Sequence, residues 1–342
     1  MEIKTIPKNI ENNSQSFFDD IGISPFKPLN LMQGAFVQTF LPALIPQIDL
    51  RKTRIAELHL SEENKINIAI NKPRTWQEKD RIVMMVHGLT GTYQSNYMIR
   101  MARKLFSAGY LVIRVNMRSC EKGFVKSRGT NHSGRSEDTR AAVAWIHRQW
   151  PKAPITLIGF SLGGNISLKM AGEDGHESVV ENMIIVSAPI DLSASADKLS
   201  LPKNRFFDQY FVKRLTQEAV NRRRCFPEMT IPELPKGLNL ISFDHLYTAP
   251  HGGFSSGSEY YESCSSKHFI SKITIPTILI CANDDPIIDQ RAYFELISQK
   301  NIDVVFTQKG GHLGFIDQAC TSWMDHFLLA SIRKMAKQTD KI

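Results

Sequence analysis

The sequence predicts an α/β protein, with a mostly parallel sheet of about eight strands, helices on both faces and a helical insertion before the last two strands. Three observations carry this reading. Short continuous apolar runs recur as IVMMVHG, YLVIRVN, ITLIGF and MIIVSAP, the pattern of strands buried on both faces, as parallel sheets require. Helical stretches around 96–108, 135–149 and 163–171 alternate with them, which predicts right-handed crossovers. The rhythm stops from Asp191 to about Lys272, then resumes in TIPTILICAND and IDVVFTQKGGH.

Taken in order, residues 1–50 carry no clear periodicity, and Phe26, Phe36, Phe40, Leu41, Leu44 and Ile45 are expected to form an apolar arm on a core made later. The polar first fifteen residues are expected to fray. RIAELHL and INIAI alternate in polarity and are separated by the polar SEENK, which predicts an antiparallel edge hairpin. The segment 191–272 carries a charged helical pattern, prolines at 202, 227, 232, 235 and 250, and the patch HGGFSSGS. It is expected to be an inserted cap on a core formed by 1–190 and 273–342. AYFELISQK and TSWMDHFLLASIRKMA predict the last two helices.

A chain of 342 residues with 42% hydrophobic and 22% charged residues has ordinary globular composition, which argues against disorder or a fibrous repeat. Its length suits one large core plus a lid. The net charge of +8 is dispersed, with short clusters only at Arg51 to Arg54 and Arg222 to Arg224. That favours a solvated face over nucleic acid, and transient contact with a membrane surface stays open as a partner reading. Five scattered cysteines without CxxC spacing indicate plain thiols, not a disulfide framework or a zinc site. HExxH and P-loop patterns are lacking, and the GGN after the motif serine is not a dinucleotide fingerprint, so neither metal nor cofactor is expected. The polar start MEIKTIPKNIENNSQ lacks an apolar signal core, and no run reaches membrane-span length. A soluble cytoplasmic protein is the expectation. Oligomeric state is left open.

GxSxG occurs twice, at Gly159 to Gly163 and Gly253 to Gly257, so the pattern alone cannot choose. The chemistry needs a strand, a strained turn carrying the serine, then a helix whose N-terminal amides face the site. Ser161 has ITLIGF before it and a helical stretch after it; Ser255 follows TAPHG and reads as a flexible-loop coincidence. A serine hydroxyl needs a histidine to take its proton and a carboxylate to orient that histidine. In a strand-turn-helix site of this type, the α/β-hydrolase arrangement, the chain order is serine, acid, histidine. His312 in KGGHLGF follows the last apolar run. His176, His245, His251, His268 and His326 lack that setting. TILICANDDP presents Asp284 and Asp285 at the end of the preceding strand; one is expected to be the acid. Asp285 is preferred because the acid in this fold is often followed by one residue and then two apolar ones, as here by Pro286, Ile287 and Ile288, with Asp284 still open. Oxyanion donors are expected from the backbone N–H groups of Leu162, next to the nucleophile, and Leu89, in the loop HGLTG.

These residues, together with PFKPLNLMQGAFVQTFLP, HGLTGTYQSNYM, GYLVIRVNMRSCEKG, NHSGRSEDTRAAVAWI, GFSLGGN, FDHLYTAPHGGFSSGSEYY, ANDDP and GGHLGF, resemble the YheT-like branch of the α/β-hydrolase superfamily. That branch is related to the eukaryotic α/β-hydrolase-domain lipid esterases, and the resemblance runs along nearly the whole chain. It implies a triad on Ser161, Asp285 (or Asp284) and His312, with carboxylester hydrolysis of short-chain or lipid-like esters. It also implies that the second GxSxG is a cap motif. The branch usually reads RGC after the second buried parallel strand, whereas this chain has Arg118, Ser119 and Cys120, which puts the shape of the acyl pocket in question. His132 in NHSG matches another branch motif and is read as structural.

Three functions compete at this point: an ester hydrolase, an acyltransferase or thioesterase using the same acyl-enzyme, and a non-catalytic binding protein. Filled triad positions argue against the last. The substrate stays hidden; Phe206, Phe207, Tyr210, Phe211, Phe226, Tyr260 and Tyr261 either line an acyl tunnel or pack the cap.

Overall fold

The computed structural model describes residues 6–120, 125–297 and 299–339. Residues 1–5, the end of GYLVIRVNMRSCEKG at 121–123, and Ser298 within AYFELISQK lie outside them. One sheet is formed by β1 (Arg54–His59), β2 (Lys65–Asn71), β3 (Ile82–Val86), β4 (Leu111–Val115), β5 (Ile155–Phe160), β6 (Asn182–Val186), β7 (Thr277–Ala282) and β8 (Ile302–Thr307). The spatial order is β1-β2-β4-β3-β5-β6-β7-β8. β3 to β8 run parallel, while the hairpin β1–β2 joins β4 in antiparallel fashion. The central strands are buried at every position, which explains why their sequences are continuous apolar runs and not alternating ones.

Side-chain alternation divides the core between the two faces. From β3, Val83 and Met85 join a cluster with α1 (Lys8–Ile21), α3 (Asn96–Ser107) and α11 (Trp323–Thr339). Ile82, Met84 and Val86 join the opposite cluster with α4 (Ser136–Gln149) and α5 (Leu162–Asp174). Between β6 and β7 the chain leaves the sheet for α6 (Leu192–Leu199), α7 (Arg205–Cys225), α8 (Leu240–Phe243), a π-helical turn (Asp244–Thr248), α9 (Ala249–Gly252) and α10 (Gly257–Cys264). Ala219, Ile231, Phe243 and Tyr247 form a small core of their own within this segment.

Two expectations are corrected. The N-terminal segment is not a fraying tail from residue 8 onward: α1 buries Ile10, Phe17 and Phe18. Ser14 Oγ accepts the Phe306 N–H at 2.9 Å, so α1 covers the outer edge of β8. Polar residues interleave these few apolar ones, which hid the helical period. The helix expected over AYFELISQK is only a 3₁₀ segment, Arg291–Leu296. Tyr293 is anchored by its OH to the Ala188 carbonyl at 2.7 Å, and β8 begins too soon for a longer helix to propagate.

A second N-terminal helix, α2 (Ala35–Leu44), packs beside the loop that follows β8. Its Gln38 is fully buried, donating to the carbonyls of Met32 and Ile316 at 2.9 and 3.0 Å and accepting the Ile316 N–H at 2.8 Å. Gln38→Leu conserves volume but leaves that N–H without a buried acceptor. It is expected to cost about 2–4 kcal/mol, measured as a lower urea midpoint with unchanged slope.

Candidate active site

The site begins with the turn between β5 and α5. Ser161 has φ 51° and ψ −122°, a left-handed conformation that an L-residue holds only when its surroundings enforce it. The enforcement is a close approach of α5 to the sheet: a Cβ on Gly163 would lie 2.4 Å from the His87 carbonyl oxygen, and one on Gly159 would lie 2.6 Å from the Gly164 Cα. Only glycine fits either place. The Ser161 N–H is held by the Val186 carbonyl at 2.8 Å.

The loop after β8 brings His312 over this turn. Its Nε2 lies 2.9 Å from Ser161 Oγ and its Nδ1 2.8 Å from Asp285 Oδ2. Nδ1 therefore donates to the carboxylate and Nε2 accepts from the serine hydroxyl. Asp285 is 1% exposed, and its other oxygen accepts the N–H groups of Ile287 and Ile288 at 2.8 and 3.0 Å. The neighbouring Asp284 points elsewhere and accepts the Gly311 N–H at 2.9 Å. Burial raises its carboxyl to about 6. Of the two acids left open by the sequence, Asp285 is the one in contact with the imidazole.

His312 has a support that sequence reasoning missed. Its N–H donates to Thr39 Oγ1 at 2.8 Å, and a Cβ on Gly311 would lie 2.6 Å from the Ala35 carbonyl oxygen. The N-terminal arm thus fixes the histidine loop. Its signal was polar Gln38 and Thr39 inside the otherwise apolar run AFVQTFLP.

Leu162 is the first residue of α5, so its N–H has no carbonyl one turn earlier within the helix. In the loop after β3, the Gly88 N–H is taken by Tyr97 OH at 2.8 Å and that of Gly91 by the Gly88 carbonyl at 3.0 Å. The Leu89 N–H makes neither of these bonds. His87 is buried with Nδ1 on the Gly88 carbonyl at 2.8 Å and Nε2 accepting the Met117 N–H at 3.1 Å. Burial depresses its pKa to about 4, so it braces the loop as a neutral ring.

Leu89, Ser161 and Leu162 share a cavity of about 90 Å³ with residues from the 191–272 segment. Of the seven aromatics singled out from that segment, Phe211, Tyr260 and Tyr261 line it. Phe206 and Phe207 instead pack against Phe36, with ring centroids 5.2 and 5.3 Å away. His132 also borders the cavity, edge-on to Phe254, and burial brings it down to about 3. Ser119 adopts φ 62°, a region glycine occupies at little cost, so the replacement of glycine forces no other backbone. Its hydroxyl is held by the buried Arg222 of α7. Ser255, for its part, is exposed and bonded to Glu259, at the capped start of α10. It belongs to a helix cap, not to a flexible loop.

Among the described residues no group of histidine, cysteine and carboxylate side chains is arranged to hold a metal ion, and no helix is long and apolar enough to cross a membrane.

Residues 81–319 match the family model of the alpha/beta hydrolase fold. YheT of Escherichia coli (strain K12) is 28% identical over 296 residues, covering 85% of this chain and 87% of that protein. Phospholipase ABHD3 of Mus musculus is 25% identical over 263 residues, 75% of this chain and 64% of that protein. Medium-chain fatty acid ethyl ester synthase/esterase 2 of Saccharomyces cerevisiae is 26% identical over 269 residues, 71% of this chain and 59% of that protein. The chain thus spans less than two thirds of the latter two. The structure of Est1E from Butyrivibrio proteoclasticus with ferulic acid matches with a TM-score of 0.56 at 15% identity, over 84% of this chain and 100% of that one. At this identity the likeness is one of fold.

One buried acid in the cavity wall generates a prediction. Asp244 accepts hydrogen bonds from Thr248 Oγ1 at 2.6 Å and Tyr261 OH at 2.8 Å, yet burial outweighs them and raises its carboxyl to about 6. The native state therefore holds this proton more tightly than the unfolded chain does. Stability is lost as pH rises from about 4 through 6. Between pH 4 and pH 7 the stability of Asp244→Asn relative to wild type should improve by on the order of 2–3 kcal/mol. Urea unfolding at the two pH values measures this; a pH-independent difference would contradict it.

Proposed function

The chain belongs to the α/β-hydrolase-fold family, and from that premise we propose that it is a serine hydrolase of carboxylic esters, short-chain or lipid-like, acting through an acyl-enzyme on Ser161. The observation that carries this reading is the unbroken hydrogen-bond chain Ser161–His312–Asp285, anchored at a serine whose backbone is held at positive φ. Such a chain makes a weak hydroxyl nucleophilic.

In the proposed reaction, Ser161 Oγ attacks the ester carbonyl carbon while its proton passes to His312 Nε2. The imidazolium so formed is stabilised by Asp285 against Nδ1. Negative charge on the former carbonyl oxygen is met by the backbone N–H groups of Leu162 and Leu89, for which no metal is needed. The tetrahedral species collapses as His312 returns the proton to the departing alcohol oxygen, leaving Ser161 acylated. Water then attacks that ester carbonyl, giving its proton to His312 Nε2. Collapse releases the acid and restores the serine hydroxyl.

We read 191–272 as a cap inserted into a core of 1–190 and 273–342. Support comes from its position between β6 and β7 and from Phe211, Tyr260 and Tyr261 sharing a cavity with Ser161. Leu192, Leu199, Ile287 and Ile288 make much of that wall apolar, which suits an acyl chain. A second reading has its own support: the yeast relative's name pairs synthase with esterase, and an alcohol in place of water would turn the same acyl-enzyme to ester synthesis.

A fluorophosphonate probe with peptide mapping should label Ser161. No label there, or a label on Ser255, would overturn the assignment. Asp285→Asn is expected to lower kcat about ten-thousandfold. Asp284→Asn, which keeps an oxygen acceptor for the Gly311 N–H and leaves the Asp285–His312 bond in place, should cost no more than about a hundredfold. Equal, mild losses would refute the choice of acid.

A further inference from the structure

Residues 31–48, LMQGAFVQTFLPALIPQI, contain no charged side chain, and α2 at their centre has two unlike faces. The inner one is spent on the histidine loop, through Gln38 and Thr39. Outward it presents Phe36, Leu41 and Leu44, which are 45%, 40% and 56% exposed. Half of the large apolar side chains exposed among the described residues fall between Leu31 and Ile48. Soluble chains scatter such residues singly, so their concentration marks an interaction face.

The face continues onto the first turns of α7. The Phe206 ring lies 5.2 Å from Phe36 and 5.0 Å from Phe40, and Phe206 and Tyr210 are themselves exposed. Around these rings the exposed positions of α7 carry Arg205, Lys213 and Arg214. The nearest acid on that helix, Asp208, is buried and spent on the Leu240 N–H. An apolar strip with a purely cationic α7 border complements an apolar layer beneath anionic headgroups. It disfavours a second copy, because a two-fold contact would set the same cations against each other.

We propose that α2 and the N-terminal turns of α7 dock the protein on an anionic lipid surface. Docking itself does not depend on Ser161; its purpose, supplying lipid-like esters to the cavity, rests on the hydrolase reading. Since α2 also holds the His312 N–H, the docked helix is one side chain away from the reacting groups.

The test is flotation with phosphatidylcholine vesicles, with and without phosphatidylglycerol. Wild type and Ser161→Ala should bind the anionic vesicles equally well, with binding falling as NaCl is raised. Combined Phe36→Ser, Leu44→Ser and Phe206→Ser should lower partitioning at least about tenfold, and Arg205→Gln with Lys213→Gln at least about tenfold on anionic vesicles alone. Both variants should keep the wild-type circular dichroism and hydrolyse a water-soluble nitrophenyl ester within about twofold of wild type. The proposal is overturned if wild type ignores the vesicles, if the combined Phe36→Ser, Leu44→Ser and Phe206→Ser variant partitions as wild type does, or if light scattering finds a dimer that this triple variant dissolves. Vesicle binding without hydrolysis of any ester would leave docking intact and refute the hydrolase reading instead.

Discussion

The close approach of α5 to the sheet is the constraint on which the rest of the site depends. Helix and strand ends meet across glycines, with the Gly163 position pressed on the His87 carbonyl and that of Gly159 on the Gly164 backbone. No side chain can enter there, so the turn between them is sharp and Ser161 must take a positive φ. The strain at one residue is borne by a sheet whose central strands are entirely buried. The same geometry frees the Leu162 N–H at the start of the helix.

A serine so presented on its turn has use only if the imidazole meets it, and that placement is distributed over the chain. Asp285 comes from the end of β7 and is held by the backbone that follows it. Asp284 ties the same strand end to the histidine loop. α2, from far upstream, closes the loop from the other side through Gln38 and Thr39. Two segments, the end of β7 and α2, therefore converge on the histidine loop, which limits the ring's freedom before any substrate arrives.

The helices between β6 and β7 join this frame through charge as well as packing. Arg222, fully buried in α7, donates to the carbonyls of Ser127 and Arg128 at 3.1 and 2.6 Å and to the Ser119 hydroxyl. A buried guanidinium tolerates displacement poorly, so these bonds fix α7 over the loop that carries Cys120 into the cavity wall. Its opposite face can then stay apolar and basic toward solvent.

The sequence by itself determined the strand-and-helix alternation, the hairpin and the strand-turn-helix setting of Ser161, because each rests on local periodicity or on glycine at a forced turn. It also put an acid pair and a histidine after Ser161 in chain order. Only the tertiary structure decided which of Asp284 and Asp285 touches His312. Adjacent residues at a strand end point different ways, and no local pattern records which side the imidazole approaches from. α1 and the role of Gln38 and Thr39 were illegible for a related reason: their partners, Phe306 and residues 312–316, lie nearly three hundred positions away. The docking face is likewise a product of packing, since α2 and α7 become neighbours only when the histidine loop and the inserted helices have closed over the same site.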